Sequence, residues 1–466
     1  MTGWDPDKGS LALPVLCAFY ESGGTPEAVI NAVFGRIGAR GSDPAWIVLR
    51  SREDVLADAR ALDPSDLARK PLWGVPFGVK DNLDLAGMDT TNACRAHTRH
   101  ATATTPIVQR LIDAGAIPIG KNNMDQFGVG INGTRTDFGV PRCVFNDDYI
   151  SGGSTSGGGV VVGAGLVSFA IGGDAAGSGR VPAALNNVVG LKPTPGLVPN
   201  TGIPTVAGLV GTNSLLTLTV DDAVNATQVI LSYDPKDPFS KPEAEGYSLA
   251  YSEMPSNFRF AVPNEMTRVF AGDQEAERLF DEAVSALVKL GGTAVSTDIT
   301  PFLEQAKALY EGPFIAQRTA NLEAFLHKSA AEVFPATREI LSWGHSYTAK
   351  DLFRAEYNLL AVKQIAHELF RDVAFLATPT TPTTVTVKHM LEDNIAQNAM
   401  LGTYTNFVNL LDLPAISVPS GFRQDGLPLG LMLTGARLDD ARLAGFASAY
   451  QKSTGWTLGG TGCPHP

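Results

Sequence analysis

Apolar residues recur at helical spacing in several stretches of the chain. Leu13–Ser22 is the first such stretch. Thr25-Pro26-Glu27 then supplies an N-cap and a first-turn proline for a second helix, whose apolar spacing continues over Ala28–Ile37. Thr105-Pro106 repeats this arrangement ahead of Ile107–Ala114. The pattern therefore predicts helices over these three stretches.

Short apolar runs between helical stretches predict buried strands. The predicted strands are Ala116–Gly120, Val167–Ile171, Phe258–Val262, Thr293–Ile299 and Val373–Ala377. The later predicted helices are Val160–Leu166, Asp273–Leu290 (capped by Asp273 and stopped by Gly291-Gly292) and the mostly helical Phe302–Lys328. Alternation of strands and helices is typical of an α/β layer architecture.

The composition indicates a large buried core. Hydrophobic residues make up 44% of the 466 residues and charged residues only 18%, below the roughly 25% usual for soluble domains. Length alone favours two or three domains. Ser232–Glu245 is the best candidate for a surface linker, but it need not divide domains.

The formal net charge of −12 argues against nucleic acid and anionic membranes as partners. It also means that an anionic substrate needs a local cation in its site. The chain has four scattered cysteines without a CxxC pair and seven histidines without the spacing of metal ligands. We therefore expect no metal site and no disulfide framework. With no leader at Met1–Ser10 and no apolar run long enough to span a membrane, we expect a cytoplasmic protein without cofactors.

Two glycine-rich segments and one lysine carry the candidate chemistry. Ser154 lies in Ser151-Gly-Gly-Ser-Thr-Ser-Gly-Gly-Gly159, and Ser178 lies 24 residues later in Gly172-Gly-Asp-Ala-Ala-Gly-Ser-Gly-Arg180. Lys80 ends the apolar stretch that begins at Gly74. A serine needs a base to become nucleophilic, and a buried lysine that stays neutral near pH 7 can be that base. Tight glycine turns also present backbone N–H groups to an attacked carbonyl.

These segments, in this order and spacing, resemble the amidase signature family of Ser–Ser–Lys amide hydrolases. The resemblance runs from about Gly74 to Gly208 and reappears near Thr378–Pro382 and Leu410–Leu433. It implies that Ser178 is the nucleophile, Ser154 the bridging serine and Lys80 the terminal base. It also implies a cis peptide before Ser154.

The same resemblance predicts an oxyanion hole and a brace beside it. The predicted donors are the backbone N–H groups of Ala175, Ala176, Gly177 and Ser178. Asp174 and Arg180 are expected to pair and to brace the loop. The chain departs from the family by having Gly173 and Ala175 where threonines are usual, and Thr155 after the bridging serine. We expect these changes to affect the rate more than the reaction.

The substrate prediction depends on Tyr310 and Arg318. They are eight residues apart and could share a face if one helix runs through Pro313. On this pattern alone, an exposed arginine and a half-buried tyrosine are the simpler interpretation. However, this segment and Leu401–Leu413 resemble the allophanate hydrolase branch of the family. By that resemblance, Arg318 holds the substrate carboxylate and Tyr310 hydrogen-bonds its polar end.

For the fold, the resemblance implies one α/β domain over residues 1–466, with a large mixed β-sheet core surrounded by helices. We expect N-terminal helices over about 1–70, the signature core over about 71–230 and a substrate-side region over about 256–466. The C-terminal, decarboxylation-assisting domain of longer relatives is expected to be absent. A homodimer formed through the N-terminal helices is the expected assembly.

The resulting hypothesis is a cytoplasmic amidase that cleaves the terminal amide of allophanate in urea or related nitrogen degradation. An acyl-enzyme would release ammonia and a carboxylated carbamate. One alternative is an amidase for another small carboxylated amide, such as carboxylated biuret. Others are the glutaminase-like subunit of a tRNA-dependent amidotransferase, and a weakened family member that only binds a ligand.

Overall fold

A computed structural model describes residues 4–203, 206–251 and 254–466. The strands are β1 (Trp46–Leu49), β2 (Pro76–Lys80), β3 (Asp89–Thr90), β4 (Arg99–His100), β5 (Ile117–Asn122), β6 (Arg142–Cys143), β7 (Asn146–Ile150), β8 (Phe169–Asp174), β9 (Val189–Lys192), β10 (Thr212–Thr217), β11 (Phe258–Pro263), β12 (Gly292–Thr297), β13 (Leu376–Pro379), β14 (Ala415–Phe422) and β15 (Pro428–Thr434). Strands β3–β4 and β6–β7 form two small pairs, and the other strands form one large sheet.

The α-helices are α1 (Leu13–Glu21), α2 (Pro26–Arg40), α3 (Arg52–Ala61), α4 (Pro106–Asp113), α5 (Ser156–Gly163), α6 (Arg180–Leu185), α7 (Val220–Ile230), α8 (Gln274–Lys289), α9 (Thr300–Glu311), α10 (Ala316–Ser329), α11 (Pro335–Trp343), α12 (Ala349–Asp372), α13 (Val387–Glu392), α14 (Asn394–Leu401), α15 (Asn406–Leu410) and α16 (Asp440–Thr454). In the part of the chain described, no helix combines the length and the apolar character needed to cross a membrane.

The large sheet has 11 strands in the order β1-β5-β2-β8-β10-β9-β14-β15-β13-β11-β12. It is mixed: β2 runs parallel to β5 and β8, whereas β10, β14 and β15 pair antiparallel with their neighbours. Helices such as α5, α7, α8 and α16 pack against it. Strands β2 and β10 are buried along their whole length, and β8 is buried at every position except Gly173, as expected for a sheet with covered faces. The predicted fold class is therefore confirmed.

The sheet takes strands from both sides of the Ser232–Glu245 stretch, which contains a 3₁₀ turn at Pro242–Ala244. Several local predictions also match the structure. Thr25 caps α2 by accepting a hydrogen bond from the Ala28 N–H, and Asp273 caps α8. Both caps accept backbone N–H groups that a helix start leaves unpaired.

Phe302–Lys328 is mostly helical, as predicted, but it does not form one continuous helix. Helix α9 ends at Glu311, Pro313–Ile315 forms a 3₁₀ turn, and α10 begins at Ala316. Gly312 lies in an extended conformation between them, and the proline that follows disfavours a helical conformation there. Tyr310 and Arg318 therefore do not share one helix.

The bounds of several other elements differ from the prediction by a few residues, and two of them show why. The helix predicted over Val160–Leu166 is α5, which begins four residues earlier, at Ser156, and ends at Gly163. The last predicted strand begins three residues later than expected, at Leu376. Both segments are almost entirely apolar or glycine-rich, so periodicity had little to mark their ends.

Candidate active site

The candidate site lies where two neighbouring parallel strands end. Lys80 is the last residue of β2, and Asp174 is the last residue of the adjacent strand β8. The carboxyl ends of parallel strands share one edge of a sheet, which is where α/β proteins commonly build ligand sites. Ser178 follows β8 within four residues and precedes α6. The topology thus brings the lysine and this serine loop to the same edge.

Lys80 is in contact with Ser154. Lys80 Nζ lies 2.7 Å from Ser154 Oγ, and it also donates to the Gly173 carbonyl oxygen at 3.0 Å. Lys80 is almost completely buried. Burial lowers the pKa of Lys80 to about 7, although the charges of Asp125 and Asp174 oppose this shift. The amine can therefore be neutral near neutral pH, as a base must be.

The peptide bond between Gly153 and Ser154 is cis. Ser178 lines the same cavity as Lys80 and Ser154 and is 2% exposed. The two serine loops are tied together, since the Thr155 N–H donates to the Ser178 carbonyl oxygen at 3.1 Å. Within the described residues, the Ser178 hydroxyl makes no hydrogen bond of its own. It is thus free to turn toward Ser154 or toward a bound substrate.

Asp174 organises the loop that carries Ser178. Its carboxylate accepts the N–H groups of Gly177 and Gly179 at 2.8 and 3.0 Å. Arg180 donates to both carboxylate oxygens at 2.9 Å, and both side chains are fully buried. Burial alone would raise the pKa of Asp174, but the charge and hydrogen bonds of Arg180, together with the charge of Lys192 and the Gly179 N–H, outweigh burial and hold this pKa below its usual range. The Asp174–Arg180 pair has the geometry of a brace.

The hydrogen bond to Asp174 removes Gly177 from the predicted set of oxyanion donors, because its N–H is already used inside the loop. The N–H groups of Ala175, Ala176 and Ser178 make no hydrogen bond within the described part of the chain. Gly177 has a φ of +127°, which glycine tolerates and other residues rarely adopt. Its role is therefore to let the loop bend.

Arg318 lines the cavity from α10. It is 1% exposed, and two of its guanidinium nitrogens have no hydrogen-bond partner among the described residues. A buried, unpaired guanidinium is costly, so an anionic ligand would be strongly favoured there. The geometry suits the predicted carboxylate contact.

Tyr310 is placed differently from the prediction. Its ring lies under the Arg318 guanidinium, 4.9 Å from the ring centre, which is close enough for a cation–π contact. The residue lines a neighbouring cavity with Asn406, and it is not among the described residues that line the cavity of Ser178. Tyr310 thus supports Arg318, and its predicted hydrogen bond to a substrate in the Ser178 cavity is not part of this arrangement.

Sequence reasoning missed two residues that hold the Ser178 loop, one from α15 and one from the turn before it. Asn409 Nδ2 donates to the Asp174 carbonyl at 2.8 Å, and its Oδ1 accepts from Arg180 at 2.7 Å. The Thr405 hydroxyl donates to the Ala176 carbonyl at 2.7 Å. Both lie in Leu401–Leu413, which the sequence marked only by resemblance. The described residues contain no cluster of three or more His, Cys, Asp or Glu side chains that could hold a metal ion.

A lysine–serine contact, a second serine on a glycine turn and free backbone N–H groups, all at one sheet edge, define a class of α/β amide hydrolases. The Amidase family profile matches residues 28–444. The chain belongs to this family. It is 37% identical over 435 residues to urea amidolyase of Lachancea kluyveri, covering 92% of this chain and 24% of that protein. The chain thus spans about a quarter of this curated relative.

Two further comparisons bear on the fold and the reaction class. The chain is 31% identical over 454 residues to a glutamyl-tRNA(Gln) amidotransferase subunit of Exiguobacterium sp., covering 92% of this chain and 94% of that one. A solved structure of a Kluyveromyces lactis allophanate hydrolase variant has a TM-score of 0.90 and 34% identity, over 98% of this chain and 75% of that one.

Proposed function

We propose that this chain is a Ser–Ser–Lys amidase that cleaves the terminal amide of allophanate. The observation that carries the proposal is one cavity lined by Lys80, Ser154, Ser178 and an unpartnered, buried Arg318. It combines a base, a relay, a nucleophile and a cationic anchor. The similarity to urea amidolyase and to allophanate hydrolase supports this substrate.

In the proposed first step, the proton of Ser178 moves to Ser154 as the Ser154 proton moves to the neutral amine of Lys80. Ser178 Oγ then attacks the carbonyl carbon of the terminal amide. The N–H groups of Ala175, Ala176 and Ser178 donate to the oxygen on which negative charge develops. Donors held in place before reaction are effective because they need no reorganisation.

The C–N bond breaks when Ser154 returns a proton to the leaving nitrogen, which departs as ammonia. An acyl-enzyme on Ser178 remains. Water, activated by the same lysine–serine relay, attacks this ester and releases the carboxylated carbamate. Arg318 holds the substrate carboxylate throughout, which fixes the distance between the anchored end and the attacked carbonyl.

The test is ammonia release by the purified chain from allophanate, carboxylated biuret, glutamine and a neutral amide of similar size. We expect allophanate to be the best substrate without a partner protein, and Ser178→Ala to release no ammonia above background. Preference for glutamine, dependent on an added partner, would instead identify the function that the similarity to the amidotransferase allows. Ligand binding without turnover would support the binding-protein alternative.

Arg318→Ala tests the carboxylate contact. We expect KM for carboxylated amides to rise by about 100-fold or more, since a buried charge-assisted pair contributes roughly 3 kcal/mol or more to binding. KM for a neutral amide should change little. Arg318→Lys is the matched variant, because it keeps the charge and loses the planar fork. Equal changes in KM for charged and neutral substrates would contradict the carboxylate contact.

The cytoplasmic location, the homodimer, the single-domain organisation and the role in urea or nitrogen degradation stay predictions. Cysteines 17, 94, 143 and 463 are unbridged thiols, in keeping with a reducing compartment. Light scattering coupled to size-exclusion chromatography would measure the assembly. Fractionation of the native cell would measure the location.

A further inference from the structure

Asp125 is a fully buried carboxylate that the proposed mechanism does not use. It lies three residues after the end of β5. Its Oδ2 accepts the N–H groups of Asn132 and Gly133 at 3.1 and 3.0 Å, and its Oδ1 accepts the Arg135 N–H at 3.1 Å. The carboxylate therefore closes a loop over residues 125–135 by binding three backbone donors.

This loop is joined to the segment that carries Ser154 at three points. The Asp125 N–H donates to the Ser154 carbonyl oxygen at 3.2 Å, and the Gly153 N–H donates to the Ile131 carbonyl oxygen at 2.9 Å. Gly153 lies directly against the carboxylate, since a first side-chain carbon there would be 2.2 Å from Asp125 Oδ2. The position of the bridging serine is thus set by main-chain contacts on both sides of its cis peptide bond.

The charge of Asp125 also acts on Lys80. Two buried carboxylates, Asp125 and Asp174, oppose the effect of burial on the pKa of the lysine. Asp174 is ion-paired with Arg180. Asp125 has no cation within 4.0 Å in the described part of the chain, and the nearby Arg135 directs its guanidinium to Asn394 and the Val129 carbonyl instead. The charge of Asp125 is therefore less completely offset.

We propose that Asp125 is a positioning residue for the relay: it holds Ser154 on Lys80 and places a negative charge beside the lysine. The proposal rests on the proposed function, because Asp125 acts only through these two residues. This positioning role would explain why position 125 is a buried carboxylate. A neutral amide could not accept three backbone N–H groups there.

Asp125→Asn is the principal test. It removes the charge and turns an amide donor toward backbone N–H groups, so the serine should shift. We expect kcat to fall about 100-fold, as small displacements of catalytic groups do, with little change in KM. The acid limb of the pH–rate profile should move to lower pH, because losing a nearby negative charge lowers the pKa of Lys80. A purely structural role would not move that limb.

Two further variants distinguish the effect of the position of Ser154 from the effect of the charge of Asp125. Asp125→Glu keeps the charge and moves the oxygens, so kcat should fall while the acid limb stays in place. Asn398→Ala loosens the same loop from outside, because Asn398 Oδ1 accepts from the Ile131 N–H and from Asn132 Nδ2, each at 2.8 Å. It should lower kcat without moving the limb, and it keeps the proposal testable if the Asp125 variants do not fold.

The matched control is Asp222→Asn. Asp222 is also fully buried and also accepts a backbone N–H, that of Leu13 at 3.1 Å, but it does not line the cavity. This variant should leave kcat and the pH profile unchanged.

The outcomes are distinguishable. Unchanged kcat in folded Asp125→Asn, or in Asn398→Ala when the former does not fold, would overturn the positioning role. Reduced kcat with an unshifted acid limb in Asp125→Asn would overturn the electrostatic part. Full activity of Ser154→Ala and Lys80→Ala would instead overturn the proposed function on which the inference rests.

Discussion

The loops that carry Ser154 and Ser178 each close on a buried aspartate, but the two carboxylates are compensated differently. Asp174 accepts two backbone N–H groups and is ion-paired with Arg180. Asp125 accepts three backbone N–H groups and has no ion pair in the described chain. Accordingly, burial raises the pKa of Asp125, whereas Arg180 outweighs burial and lowers that of Asp174.

This difference suggests a division of labour. In the proposed mechanism, the Ser178 loop presents the nucleophile and free N–H groups to the cavity, so an ion pair that fixes its shape suits it. In the proposed mechanism, the Ser154 segment holds one hydroxyl on Lys80, and the charge of Asp125, which is less completely offset than that of Asp174, opposes part of the effect of burial on the lysine pKa. Asp174 thus contributes mainly to the rigidity of the Ser178 loop, and Asp125 contributes mainly to the charge near Lys80.

Removing the reactive groups should have the largest effect. We expect Ser178→Ala and Lys80→Ala to lower turnover about 10⁴-fold or more, because groups that act as one unit fail together. Ser154→Ala keeps the nucleophile and should lose roughly 10²–10⁴-fold, the usual contribution of proton transfer. Initial rates of ammonia release, with circular dichroism as the folding control, measure this. A Lys80→Ala variant with a near-normal rate would refute the assignment.

Asp174 and Asp125 should contribute differently to the free energy of unfolding. Asp174→Asn leaves Arg180 buried without its partner, and we expect the free energy of unfolding to fall by about 3–5 kcal/mol. Asp125→Asn disturbs hydrogen bonds without breaking an ion pair, so its loss should be smaller, about 1–3 kcal/mol. Denaturant titration of both variants measures the difference. Equal losses would remove the distinction between the two loops.

The smallest effect is expected at Gly173, where the resemblance to the amidase signature family implies a threonine. A first side-chain carbon there would lie 3.6 Å from Asn82 Nδ2 and 3.8 Å from the Thr212 carbonyl oxygen, both ordinary contacts. Gly173→Thr should therefore change stability by no more than about 0.5 kcal/mol. Steady-state kinetics should show kcat of the same order as in the parent. A large gain would mean that the missing hydroxyl limits the rate.

Much of the site followed from the sequence because its chemistry is local. Lys80, Ser154 and Ser178 stand in short glycine-rich or apolar segments whose order and spacing are specific. Alternating helices and strands likewise predicted the α/β class. The contacts that support these residues could be predicted from the sequence only in part. Asp174 and Arg180 are six residues apart, so their pairing could be predicted.

The remaining contacts join residues that are far apart in the chain. Asn409 reaches Asp174 across 235 positions, and Asn398 reaches Ile131 across 267. No local pattern encodes such contacts. The break between Tyr310 and Arg318 was left open by the sequence, because apolar spacing continues through Gly312 and only Pro313 pointed to an end of the helix. Gly177 was misassigned because a free and a bonded N–H look alike in sequence.

The central claim is that Lys80 is a neutral base at working pH, and its titration tests this most directly. Lysine labelled with ¹³C at Cε, with the Lys80 signal assigned from Lys80→Arg, reports the charge of this amine as pH is varied. We predict a midpoint at about 7 that coincides with the acid limb of kcat, above which activity is gained. A lysine that stays charged to about pH 10, its ordinary range, would contradict the account.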